Sequence, residues 1–383
     1  MPRRVAHLPR GEDSNREDRS MPVSKMTAGP GRRYGNRVSR RSLLKAAAAA
    51  GLASLGPLIL TPGKARAAER ISLISWGGNY RKAWEEAYVQ PFIKETGIDV
   101  VIADTPDLAK VKAQVMSKNI EWDVFDCPGS MALSGAAEGF WEPLDKSIVD
   151  ASDVYVPYGP DYMPYYMYAG GVAWDPKRFA EGKHPNDFAQ FFDAGRFPGR
   201  RGLRTRISET LDIALLADGV PPDKLYPLDI ERGFKILETI KPHVRKWIAE
   251  TPQTISLVQN NEIDFSYTYS GRVRAAQGDG VSIEFSFAQT INCLNYVSVL
   301  KGSPRKEAAM KLVAFTIRPD RAAAFANLLG YTPTVRKSMG MVSAETQKWM
   351  PDMKNPRNAV MDDKWWQQNY TTLQKRFDEW LLT

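Results

Sequence analysis

The chain is 383 residues long, 43% hydrophobic and 25% charged, a composition that sets aside intrinsic disorder and fibrous repeats and leaves room for two domains with separate cores. Its net charge of +8 would suit a nucleic-acid or anionic-membrane partner, but the excess is local. Residues 1–68 hold 14 Lys and Arg against 4 Asp and Glu, leaving 38 and 40 for the rest, so the body is slightly acidic and no nucleic-acid partner is expected.

The basic segment has its own pattern. Ser39, Arg40, Arg41, Ser42, Leu43, Leu44 and Lys45 precede an apolar run over 46–60, and Ala65, Arg66 and Ala67 follow as a small-x-small cleavage signal. This resembles a twin-arginine export signal, which implies passage through the twin-arginine machinery. The run of 15 residues is shorter than the ~20 that span a bilayer. Residues 1–67 are therefore read as a cleaved leader, and no cysteine near the cut offers a lipid attachment point, so the mature protein is expected free in the periplasm. The polar stretch before Ser39 is longer than such a leader needs, which suggests translation from Met21 or Met26.

Beyond the leader, residues 71–75 read as a short buried strand closed by Trp76, Gly77 and Gly78. A helix follows from Tyr80, with a kink at Pro91 and a stop at Gly97, and then a strand over 99–103. Strand, helix, strand implies a parallel sheet. A helix over 108–116 and a strand over 122–125 repeat the unit, ending in Asp126, Cys127, Pro128, Gly129 and Ser130. In open α/β sheets the loops at the carboxyl ends of strands face the binding crevice, which places the Trp76 and Cys127 loops on the working edge of one lobe.

The tyrosine-rich segment 155–168 shows little periodicity and runs into Gly170, Gly171, Val172, Ala173 and Trp174, a crossing strand. Asp175 and Pro176 look like a helix cap and first helical residue. Strands and helices then alternate through a second α/β lobe: a strand near Leu203, helices over 208–217, 230–240 and 254–259, a strand over 263–267, a helix from Gly271 and a strand over 282–287. Residues 291–300, β-rich but dotted with Asn292, Cys293 and Asn295, read either as a hinge strand whose polar residues face a ligand or as an ordinary core strand. Amphipathic helices over 305–317, 321–329 and 363–382 complete the chain. The expected division is 68–170 with 292–330 for lobe 1, and 171–291 with 331–383 for lobe 2.

By the residues Phe92 to Ile98, Trp122 to Val124, Gly139 to Asp145, Trp174 to Pro176, Arg318 to Asp320 and Gly330 to Pro333, the mature chain resembles the bacterial extracellular solute-binding proteins of ABC importers, in particular the spermidine/putrescine-binding branch. The resemblance implies a two-lobed α/β fold of the periplasmic-binding-protein kind (type II-like), hinge strands between the lobes, closure over one small solute and delivery to a membrane permease. It implies a monomer and no cofactor, metal or catalysis. Its polyamine binders cage ammonium groups with carboxylates and aromatic faces. Here Asn295 stands where that branch has an Asp, Cys293 where it has a Trp, and Arg206 where it has a second acid, while Glu209 is retained.

The expected ligand-binding residues are Trp76, Gly77, Cys127, Ser130, Tyr168, Arg206, Glu209, Tyr269, Arg272, Cys293, Asn295 and Tyr331. Arginines near a helix start suit a carboxylate or phosphate, so two ligand classes stay open: a polyamine-like or other small nitrogenous solute, and a carboxylate-bearing, opine-like or organic-acid solute. A periplasmic enzyme on a related fold is a distant third, since no nucleophile elbow, phosphate-cradling loop or paired metal-ligand histidines occur. Each named residue also has a plain structural reading: Trp76 and Tyr168 as core aromatics, Arg206 and Arg272 as solvated charges, Glu209 as a helix-dipole partner. Whether Cys127 and Cys293 form a disulfide is left open by the sequence. N-terminal sequencing of exported protein is expected to begin at Ala68; retention of Arg40 and Arg41 would refute the export reading.

Overall fold

The computed structural model describes residues 69–383; the twin-arginine motif, the apolar run and the cleavage site lie outside the described residues. Strands β1 (Arg70–Ser75), β2 (Asp99–Asp104) and β3 (Val124–Pro128) are parallel, in the order β2, β1, β3. Helix α1 (79–96) connects β1 to β2 and ends at Gly97, whose φ of 72° is the left-handed stop that glycine provides. The kink expected at Pro91 takes the form of a π turn over Glu85–Val89, just ahead of the residue that lacks an N–H. Asp107 starts α2 (Leu108–Ser117) by accepting from the Ala109 and Lys110 amides. Helix α3 (Gly129–Ala137) begins where β3 ends.

Two long strands carry the chain across. β4 (Met163–Trp174) pairs antiparallel with β9 (Ile291–Val299) from Met163 to Gly170, and with β7 (Phe265–Tyr269) from Gly170 to Trp174. β9 in turn pairs with β3 through Asn295 to Val299. Beyond β7 lie β5 (Arg201–Arg204) and β6 (Val244–Ile248), both parallel to their neighbours. Short strands β8 (Glu284–Phe285) and β10 (Thr332–Pro333) edge onto β4, and β11 (Ala359–Val360) onto β9. β4 starts well before Gly170, where the sequence marks its beginning. It is buried on both faces, so the polar and apolar alternation that betrays a strand is absent. Asp175 does not start a helix: its carboxylate accepts from the Lys177 amide at 2.9 Å and closes a turn.

Cores lie on both sides of each half of the sheet. Leu73 packs with Trp84, Tyr88, Phe92 and Phe325, while its neighbour Ile74 packs with Phe125 and Trp141 on the opposite face. Tyr331 and Val335 join the first of these. In the second half, Phe188, Phe234, Tyr267, Trp366 and Phe377 form one core and Val258, Ile263 and Phe285 another. The result is a two-lobed α/β fold bridged by β4 and β9. Helix α4 (Ile207–Ala217), α5 (Ile230–Ile240) and α6 (Ser270–Gly278) belong to the β5 to β7 side, and α7 (Lys306–Thr316) and α8 (Pro319–Leu329) to the β1 to β3 side. The last helix, α9 (Asp363–Leu382), sends Trp366, Leu373 and Phe377 into the second lobe. Its first residue lies on the first lobe: a Cβ at Gly129 would come within 2.0 Å of the Asp363 carboxyl carbon.

Gly170, where β4 changes partners, faces the Tyr267 hydroxyl so closely that a Cβ would sit 2.0 Å from it. Gly170→Ala is expected to destabilise the protein by about 1–3 kcal/mol through overpacking, seen as a lower urea midpoint at unchanged slope.

Candidate functional site

The carboxyl ends of β1, β3, β5 and β7 deliver Trp76, Pro128, Arg204 with Arg206, and Tyr269 to one cleft, closed from behind by β4 and β9. Two adjoining cavities of about 340 Å³ and about 300 Å³ share a wall of Trp76, Pro128, Tyr168 and Arg206. The smaller is an aromatic box. Tyr166 stacks on Tyr331 at 4.6 Å and 10°, Tyr168 meets Tyr269 edge to face at 5.3 Å, and Trp76 and Tyr80 complete the lining.

Three arginines, Arg204, Arg206 and Arg272, face this box, and no carboxylate lines it. Arg206 is partly buried and donates to Glu209 and, at 2.7 Å, to the Tyr269 hydroxyl. Burial works against its charge, but the neighbouring Glu209 carboxylate outweighs this and holds the guanidinium well above its ordinary range. Arg204 is different. Only 5% exposed, it donates to Thr251 Oγ1 at 3.2 Å, and its Nε and Nη1 meet no acceptor. Among the described residues it has no acidic partner. A buried guanidinium in that state is costly unless an anion completes it. Arg272, exposed at the start of α6, likewise pairs with no described carboxylate.

Glu209 is held by the backbone in a rare conformation, φ 69° and ψ −44°, which interrupts α4 just after Ser208. Backbone of this kind persists only where its surroundings enforce it. The enforcement is visible: the Glu209 amide donates to Asp212 at 3.0 Å, and the carboxylate accepts from Arg206 and, at 2.6 Å, from Tyr267 Oη. Behind the box lies Asp126. It accepts from Ser75 Oγ at 2.5 Å, Tyr80 at 3.0 Å, Tyr165 at 2.8 Å and Asn295 Nδ2 at 2.5 Å. Burial pushes its carboxyl up to about 6 against the pull of these four bonds. With one amide N–H given to Asp126, Asn295 keeps its carbonyl oxygen and its second N–H.

Nine of the residues expected from the sequence therefore line the cleft: Trp76, Tyr168 and Arg206 line both cavities, Ser130 and Glu209 the larger, Tyr269, Arg272, Asn295 and Tyr331 the smaller. Gly77, Cys127 and Cys293 line neither. Gly77 is exposed beside Asp104. Cys127 alternates away from Asp126 along β3 and is fully buried among Phe125, Trp141 and Leu294. Cys293 shares a strand face with Asn295 but is buried, paired across the strands with Tyr168; burial and the Glu209 charge push its thiol well up. Neither cysteine is in a disulfide. Sequence reasoning missed Arg204, Thr251, Tyr166 and the α9 residues Asp363, Trp366, Gln367, Tyr370 and Thr371. Arg204 at a strand end had the same positional signal as Arg206, whereas nothing local in α9 distinguishes a cleft face from a core face.

Residues 87–354 match the family profile described as bacterial extracellular solute-binding protein, and the chain belongs to that family, as a solute-binding component of an ABC transporter. The gamma-aminobutyric acid-binding protein of Pseudomonas aeruginosa is 30% identical over 82% of this chain and 91% of its own length. The spermidine/putrescine-binding periplasmic protein of Escherichia coli is 24% identical over 72% of this chain and 84% of its own. Among solved structures, the PBP AgtB from Agrobacterium tumefaciens R10 in complex with agropinic acid is 29% identical with a TM-score of 0.72, covering 82% of this chain and 99% of that one.

Asp363 supplies a pH signature. Burial raises its carboxyl from 3.8 to about 7, although Tyr296 Oη donates to it at 2.9 Å. The folded state thus holds the proton more tightly than the unfolded chain, so the stabilisation is complete below about pH 4, falls as the pH rises and is gone above about pH 7. Asp363→Asn is expected to remove that fall, gaining a few kcal/mol on wild type between about pH 4 and about pH 7.5 in urea denaturation. A parallel pH dependence in both proteins would contradict the assignment.

Proposed function

We propose that the protein captures a small amino carboxylate, of which γ-aminobutyrate is the simplest probe, and delivers it to a membrane permease. The carrying observation is Arg204, a buried guanidinium with two unpaired donor nitrogens, in the lining of an aromatic box that holds three arginines and no acid. A ligand carboxylate completes Arg204 and Arg272 by charge-assisted hydrogen bonds. The ammonium end meets the faces of Trp76, Tyr80 and Tyr166 and the Asn295 carbonyl, groups that favour a cation once water is excluded. Such a solute is both nitrogenous and carboxylate-bearing, so it joins the two ligand classes the sequence left open. It also agrees with the ligand named for the P. aeruginosa relative. A diamine would need a carboxylate free to receive it, and Glu209 is already taken by Arg206 and Tyr267.

Contacts from β1 and β3 on one side and β5 and β7 on the other mean that one ligand bridges both lobes and favours the closed state, with β4 and β9 as the hinge. The remainder of the reading is export by the twin-arginine-like leader, a soluble periplasmic monomer without lipid anchor, and no catalysis.

Thermal denaturation tests the ligand class. A hundredfold excess of γ-aminobutyrate over its dissociation constant is expected to add ~2.7 kcal/mol. Arg204→Met is expected to lose about 2–3 kcal/mol of binding while leaving the unliganded protein as stable or more stable, because the unpaired charge is gone. Stabilisation by putrescine but not by γ-aminobutyrate would overturn the carboxylate.

A further inference from the structure

The lobes meet at a second seam beside the arginine box, where α6 of the second lobe lies against the end of α8 in the first. Val273 and Ala276 root α6 in the core of Val258, Ile263 and Phe285, whereas Ala322 and Phe325 root α8 in the core of Leu73 and Trp84. The approach is close. A Cβ on Gly271 would fall 2.6 Å from Tyr331 Cε1 and 2.7 Å from the Leu329 carbonyl oxygen.

Arg274, one turn further along α6, is caught in this seam. Its Nη2 donates to the Asn327 carbonyl at 3.0 Å and to Thr346 Oγ1 at 3.1 Å, both neutral acceptors. Its Nη1 is buried and meets no acceptor. Gly330, the left-handed cap of α8, lies against that nitrogen: a Cβ there would come within 3.2 Å of it. Glu345 acts on Arg274 only from a distance and is itself paired with Lys348. Burial accordingly holds the guanidinium below its ordinary range, against the pull of Glu345.

A charge that gives up water for two neutral acceptors on one nitrogen, and for nothing on another, is destabilised where it sits. Drawing α8 away from α6 would take Gly330 off Nη1 and let water complete it. The cost therefore falls on the arrangement with the lobes together.

We infer that Arg274 is a positioning residue that biases the lobes apart: with the cleft empty, wetting its guanidinium favours opening, and bound solute must overcome that bias to hold the lobes closed. The inference rests on the hinge-closure reading and is independent of the ligand class.

Small-angle X-ray scattering of the ligand-free mature protein tests the bias. Arg274→Met removes the charge and is expected to give a smaller radius of gyration than wild type, while Arg274→Lys keeps the charge and the wild-type radius. An unchanged or larger radius for Arg274→Met, or equal compaction in Arg274→Lys, would overturn the inference. Arg274→Gln carries the same expectation as Arg274→Met should the latter not fold by circular dichroism. In calorimetric titration Arg274→Met is expected to bind γ-aminobutyrate about fivefold tighter or more, the cost of one unmet buried donor expressed as affinity. Equal or weaker binding by the variant would contradict the bias. If γ-aminobutyrate binds neither protein, the carboxylate reading fails and the scattering still decides the role of Arg274.

Discussion

Everything at the cleft depends on the antiparallel pairing of β4 with β9. These are the strands through which the two halves of the sheet are continuous, and they carry Tyr166, Tyr168 and Asn295 to the back wall of the site. The pairing is tight because both strands are buried on both faces, and it is local because β4 exchanges β9 for β7 at Gly170. A residue without a side chain at that exchange lets Tyr267 approach, and Tyr267 then reaches Glu209. The hinge and the anchoring of the cleft carboxylate are thus one piece of packing.

Around this frame the charges are sorted. Glu209 is bound to Arg206, Asp126 to a ring of hydroxyls and an amide, and Asp212 to Tyr226 and Trp366, whose Nε1 donates at 3.2 Å. Burial raises the Asp212 carboxyl to about 6, as it does that of Asp126. Each of these acids has its donors, whereas Arg204, which has no acidic partner among the described residues, keeps two nitrogens without an acceptor, and Arg206 keeps its Nε. That asymmetry is what the proposed ligand carboxylate would answer.

The fold was largely legible because its parallel units announce themselves: β1, β2 and α9 fall within a residue or so of where periodicity and caps place them. β4 was cut short because full burial erases alternation. The cleft was legible in proportion to loop position. Residues just past strand ends, Trp76, Arg206 and Arg272, could be found, and Arg204 could have been by the same rule. Cys127 and Cys293 were misplaced because a small residue on a buried strand gives no sign of which neighbour covers it. The contribution of α9 was invisible, since its register against α3 is a tertiary fact set by the absence of a side chain at Gly129.

That close approach of Gly129 to Asp363 has a consequence of another kind. Helix α9 is rooted in the second lobe by Trp366, Leu373 and Phe377, yet its first residue lies on the first lobe. A motion that drew the lobes apart would wet Asp363 and return its carboxyl toward the ordinary acidic range. Opening would then release a proton and closing would take one up, between about pH 4 and about pH 7. The heat of solute binding would depend on the ionisation enthalpy of the buffer, and the difference between buffers would count the protons that travel with the hinge.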